Sequence, residues 1–196
     1  MKTIERKADL LHLQKQGEID IMESRGNAAG YSAGGVDTFG STLHFGPFFG
    51  QDRFDIAHGE KKAPAGTDFS QDFHIFGLEW TQNEIFTYLD SRDNVVMKLE
   101  MNESLWTQGG FDKIAGIDNP WLGGSRDAPF DQKFYLVLNV AVGGTNSYFP
   151  DGEGGKCWTN TSPTAALDFW NCKGQWHPTW IGDDAALQID YVRVYQ

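Results

Sequence analysis

The chain has 196 residues and 27 acidic against 16 basic side chains, a formal net charge of −11; that charge repels nucleic acid and leaves no basic cluster for an anionic membrane, while a neutral polysaccharide is unaffected by it. With 23 glycines, 14% aromatic residues and many short apolar segments separated by turns, the composition favours an all-β sandwich over helices. No run of about 20 apolar residues could cross a bilayer as a helix, and the charged N-terminus lacks the apolar core of a signal peptide.

In chain order, residues 1–16 come first, with apolar side chains at positions 4, 8 and 11, a weak helical spacing. Residues 17–24 then read as a strand, because Ile19, Ile21 and Met22 supply its apolar, partly β-branched character. Alternation puts Glu18 and Asp20 on one face and Ile19 and Ile21 on the other. Glu23 stands five positions after Glu18, so strict alternation would point it the wrong way. A β-bulge near Ile21 and Met22 would return it to the side of Glu18 and Asp20, a device common where a side chain is re-aimed beside an active site. The backbone positions are then about four strand steps apart, roughly 13 Å at 3.3 Å per residue, so the side chains must lean together. Paired carboxyls suit glycoside hydrolysis, with about 5–5.5 Å between them for retention and about 6.5–9.5 Å for inversion. An edge strand whose acids face water is the plainer reading, and calcium would also use acids, although no calcium-loop spacing is present.

Two irregular stretches, 48–71 and 145–184, read as loops at the ends of sheets, where the specificity of a groove would reside. His44 reads as either a satisfied strand histidine or a cleft residue. Asn139 sits in an apolar run where an unpaired amide is costly, so it either satisfies backbone or faces a groove. Cys157 and Cys172, fifteen positions apart, are either a disulfide, worth roughly 3 kcal/mol of unfolded-state loop entropy, or two buried thiols. Asn102 and Asn160 open glycosylation sequons, which are frequent by chance. The seven tryptophans offer stacking surfaces for pyranose rings, but aromatics are core residues by default. Paired glycines at 34–35, 123–124 and 143–144 read as turns or strand ends. There is no paired-cysteine zinc spacing, no His-Glu-x-x-His, no phosphate loop and no Gly-x-Ser-x-Gly elbow.

The run at 17–23, in the bulged form Glu-x-Asp-x-x-Glu, resembles the signature of glycoside hydrolase family 16 and within it the laminarinases, which are endo-β-1,3-glucanases. Residues 41–46, 72–80, 134–144 and 188–195 resemble successive strands of that family, in order. Residues 162–164, 169–171 and 175–180 look like its eukaryotic branch, which includes β-glucan recognition proteins. The resemblance implies a β-sandwich jelly roll of concanavalin A type over residues 17–196, lacking part of its N-terminal scaffold, with residues 1–16 as an unrecognised segment. It also implies Glu18 as nucleophile, Glu23 as general acid and base, and Asp20 as the neighbour that tunes them. His44 and Asn139 would meet the sugar. No cofactor is required for catalysis, although Asp190 resembles an acid that helps hold a structural calcium in parts of the family. The implied partner is a β-1,3-glucan, without nucleic acid or membrane, and the implied location is extracellular. Two functions are open at this point: retaining hydrolysis of β-1,3-glucan, and non-catalytic glucan recognition on the same fold. A fragment without activity is a further alternative.

Overall fold

The computed structural model describes residues 17–48 and 50–196, so the segment 1–16 lies outside the described residues. The fold is all-β in class: among the described residues six strands form two antiparallel sheets, and the helices are short, none longer than seven residues. The contacts divide the described residues into two units, one formed by 17–30 and 34–135 and the other by Tyr31–Ala33 and Leu136–Gln196.

In the first unit, β1 (Glu18–Ser24), β2 (Thr38–His44) and β3 (His58–Lys62) make one sheet in that order, and β4 (Phe76–Trp80), β5 (Glu84–Leu89) and β6 (Val95–Glu100) make the other. Period-two alternation decides what each strand buries. β5 buries Ile85, Thr87 and Leu89, β6 buries Met97 and Leu99, and β2 buries Phe39, Ser41 and Leu43. These inner faces meet in one core with Phe45, Met101, Leu105, Phe111 and Phe130, and Ile19 and Leu78 pack on it from β1 and β4. The two sheets therefore form a sandwich closed at one end by aromatic rings. Phe45 lies edge-on to Phe111 and Phe130, with ring centroids 6.2 and 6.0 Å away, the arrangement that aromatic quadrupoles favour. The buried Thr87 hydroxyl accepts from the Met97 N–H at 3.3 Å beside the point where the β5–β6 register shifts. A helical turn, α1 (Leu105–Gln108), is capped by the Ser104 hydroxyl accepting from the Thr107 N–H, and it drives Leu105 into the core.

The second unit contains α2 (Ala165–Asn171) and α3 (Lys173–Trp176). Cys157 and Cys172 are joined by a disulfide, with Cα atoms 6.5 Å apart. Trp176 stacks on Phe169 with ring centroids 4.6 Å apart. Lys156 is almost fully buried, yet its ammonium donates to the Phe149 carbonyl, Asp151 and Asn160, so its charge is satisfied.

Two expectations change. Residues 134–144 and 188–195, read as strands by resemblance, belong to no strand, and Leu136, Val137, Leu138, Val140, Val192 and Val194 are exposed. An apolar run describes one strand's preference, whereas a ladder needs a partner, and none of the described strands pairs with either run. Conversely, β3 lies inside the stretch read as a loop. Its sequence, His58-Gly59-Glu60-Lys61-Lys62, carries no apolar alternation, so it had no strand signal.

β3 is held close to β6. A Cβ on Gly59 would lie 1.9 Å from the Val96 carbonyl oxygen, and backbone cannot yield as a flexible side chain does. Gly59→Ala should therefore destabilise the protein by about 1–3 kcal/mol, while Gly26→Ala, with open space around it, should change stability little. Urea denaturation of both variants checks this, and equal midpoints would show that the two sheet edges can separate without cost.

Candidate active site

The β1–β2 register settles where the three acids of β1 stand. Glu18 pairs with His44, Ile19 with Leu43 and Asp20 with Thr42; the register then shifts, and Glu23 pairs with Gly40 and Ser24 with Phe39. β1 advances three residues while β2 advances two, which is a β-bulge. Residues directly opposite each other in an antiparallel pair project to the same side. Glu18, Asp20 and Glu23 consequently share one face with His44, Thr42 and Gly40, and Ile19 goes with Leu43 into the core. The buried Ser41 hydroxyl donates to the Asp20 carbonyl at 2.8 Å, supplying a partner where the bulge interrupts the ladder. Gly40 places no side chain opposite Glu23, and the edge of the His58 ring occupies that position instead, 3.1 Å from where a Cβ would stand.

Electrostatics ties the acids to β2. His44 Nε2 lies 3.2 Å from Asp20 Oδ2, and Nδ1 lies 2.5 Å from Asp52 Oδ2. Both ring nitrogens of His44, which the resemblance places toward a sugar, are thus taken by aspartates. Burial alone would lower the His44 pKa, but hydrogen bonds to Asp20 and Asp52, with the charges of both, raise it to about 10. The ring is an imidazolium at neutral pH, donating from both nitrogens. Glu23, although its side chain reaches solvent, has a raised pKa, first because surrounding atoms partly desolvate it and next because Asp20 repels its charge, against the opposing effects of His44 and Arg25. Its proton is therefore held to higher pH than on an ordinary glutamic acid.

The polar face continues onto β3. Thr42 pairs with His58, whose Nδ1 lies 2.9 Å from the Thr42 hydroxyl and whose Nε2 lies 3.6 Å from Glu60. Asp52 and His58 were not anticipated. Asp52 is an isolated acid in an irregular stretch, and only the closing of the chain brings it beside a histidine eight positions earlier. Of the other expected residues, Asn139 lies in the exposed 134–144 stretch, outside any strand. Asp190 is exposed, and among the described residues no group of three or more His, Cys, Asp or Glu could hold a metal ion. The donor set around Asp190 thus does not fit a calcium site, and no step is routed through one. Surface hollows in the first unit are lined by residues such as Trp121, Leu122, Pro129 and Gln132, and none of the three acids contributes to them. No helix among the described residues is long and apolar enough to cross a membrane.

Residues 6–135 match the family described as glycosyl hydrolases family 16, and the chain belongs to that family. It is similar to a β-1,3-glucan-binding protein of Penaeus monodon, 47% identical over 186 residues, which covers 92% of this chain and 49% of the relative. A Gram-negative bacteria-binding protein 1 of Drosophila melanogaster is 33% identical over 188 residues, covering 92% of this chain and 35% of the relative. A glucan endo-1,3-β-glucosidase A1 of Niallia circulans is 29% identical over 180 residues, covering 92% of this chain and 19% of the relative. The chain spans about half the length, or less, of these curated relatives. No solved structure matches it at a comparable level.

The charge on His44 makes stability depend on pH. Its folded pKa lies above the unfolded value of 6.5, so the folded state holds the proton more tightly. The resulting stabilisation is complete below about pH 6.5 and is lost as pH rises through about 10. His44→Gln should be less stable than the wild type by about 1–3 kcal/mol at neutral pH, with the difference shrinking toward pH 10. Urea melts across that range test it, and a difference that does not vary with pH would contradict the imidazolium.

Proposed function

We propose that this chain is the catalytic portion of a retaining endo-β-1,3-glucanase. The observation that carries the reading is the register shift between Asp20 and Glu23, which brings Glu18, Asp20 and Glu23 onto one face. Glu18 then attacks the anomeric carbon as a carboxylate, while Glu23 gives its proton to the departing glycosidic oxygen; the carbon–oxygen bond breaks as the glycosyl–Glu18 ester forms. Glu23, now a carboxylate, takes a proton from water, and the hydroxyl adds to the anomeric carbon and releases Glu18. Asp20 serves both steps by keeping a negative charge beside Glu23, so that its proton stays available at higher pH. A sugar hydroxyl in place of water would give transglycosylation from the same intermediate. An extracellular location fits the disulfide.

The second reading, glucan binding without cleavage, is favoured by the relatives of Penaeus monodon and Manduca sexta, both named β-1,3-glucan-binding proteins. Presence of both glutamates weighs toward hydrolysis, since binding alone requires neither a nucleophile nor a proton donor.

Glu18→Gln and Glu23→Gln should each lower laminarin hydrolysis by on the order of 10²–10⁴-fold or more, with glucan binding and thermal melting close to wild type. Wild-type protein that binds laminarin but releases no reducing ends would establish the binding reading instead. Early products followed by proton NMR should keep the β-configuration, and an α-anomer would exclude the double displacement.

Asp20→Asn should move the alkaline limb of the pH–rate profile to lower pH, because it removes the charge that helps hold the Glu23 proton. A limb that stays in place would mean that Asp20 does not tune Glu23.

A further inference from the structure

Asp52 is held more firmly than a loop aspartate needs to be. Its Oδ1 accepts from the backbone N–H groups of Phe45 and Phe54, each at 3.2 Å, and its Oδ2 meets His44 Nδ1. The backbone closes the same loop, since the Arg53 N–H donates to the Phe45 carbonyl at 3.0 Å. Gly46 lets the chain pass there: a Cβ on it would lie 2.2 Å from the Gln51 carbonyl oxygen. Phe54 lies against the imidazole, ring centroids 5.9 Å apart. Asp52 cannot turn away without giving up two backbone donors, and His44 cannot turn away without leaving a partly buried carboxylate unpaired.

We infer that Asp52 is a positioning residue for the proposed hydrolysis: through the His44 Nδ1–H it fixes the orientation and charge of the imidazolium, which presents Nε2–H to Asp20 and so holds the carboxylate that stands between Glu18 and Glu23. The inference rests on the hydrolase reading for its role in turnover, but its geometry stands apart from it. The groups that face His44 are Glu18, Asp20 and Glu23 from β1 and Asp52 from the loop, with His58 beyond Thr42. Asp20 alone could accept from one nitrogen of a neutral ring. It is the second carboxylate, on the opposite side, that requires both nitrogens to carry protons. Asp52 thereby acts on Glu23 indirectly, because a charged His44 opposes the effects that raise the Glu23 pKa.

The test is Asp52→Asn, which keeps the shape of the side chain and an acceptor for the backbone N–H groups while removing the charge. The His44 imidazole should titrate near pH 10 in the wild type, followed by proton–nitrogen NMR, and about 1–3 pH units lower in the variant. Hydrolysis should fall by on the order of 10- to 100-fold. A purely structural role would slow the enzyme without moving the His44 titration. An unchanged His44 titration in Asp52→Asn overturns the inference. If that variant does not fold, the wild type decides: a His44 midpoint near its ordinary value refutes the double clamp. Wild-type protein that shows the shifted histidine but no hydrolysis would overturn the hydrolase reading and leave the clamp standing.

Discussion

Three carboxylates within one strand, on one face and partly out of water, repel one another, and that repulsion is the constraint around which the first sheet is organised. Like charges at short range raise one another's pKa, and burial adds to the cost of ionisation. The fold answers with positive charge, from Arg25 near Glu23 and from His44 across the ladder. His44, directly across from Glu18, faces Asp20 with one nitrogen and Asp52 with the other. The result is graded: Asp20 has a cationic partner, whereas Glu23, partly desolvated by its neighbours and next to Asp20, is pushed toward its neutral form. A pair of acids whose environments differ in this way is what a division into charged and protonated roles requires.

Backbone makes the grading possible. Were β1 to run from Asp20 to Glu23 as a regular ladder without the bulge, the second glutamate would join Ile19 against the core, and burying it there unpaired would cost far more than a bulge. Ser41 belongs to the same solution. Its side chain points away from the acids, into the interior, and satisfies the Asp20 carbonyl beside the irregular step. The β2 strand therefore serves the site from both of its faces, His44, Thr42 and Gly40 on one and Ser41 on the other.

Much of this was legible in the residues. The spacing of 18, 20 and 23 requires a bulge if the acids are to act together, and the structure has it in that interval. The all-β class followed from short apolar segments and turns, and β5 and β6 bury side chains at alternate positions as such segments should. What escaped has physical reasons. β3 is polar and short, stabilised by its neighbour β2 and by close approach to β6 instead of by an apolar pattern of its own. Asp52 acquires its meaning only through loop closure, which leaves no periodic trace in a sequence. The runs at 134–144 and 188–195 show the converse: each has the composition of a strand, but pairing is a property of two segments, and the propensity of one cannot report on the other.

The parity of β1 and β2 has a consequence for how such a domain can change over time. Odd positions near the start of β1 serve the core and even positions serve the chemistry, so substitutions at one set can accumulate with little effect on the other. Loss of the single extra residue between Asp20 and Glu23 would remove the bulge and set the glutamate two positions after Asp20, still on the same face. What the strand cannot lose is the bulge at its present length, because a regular ladder over the same residues would turn Glu23 inward. Exchanging one oxygen of Glu23 for nitrogen would leave this shared face in place while removing its carboxyl.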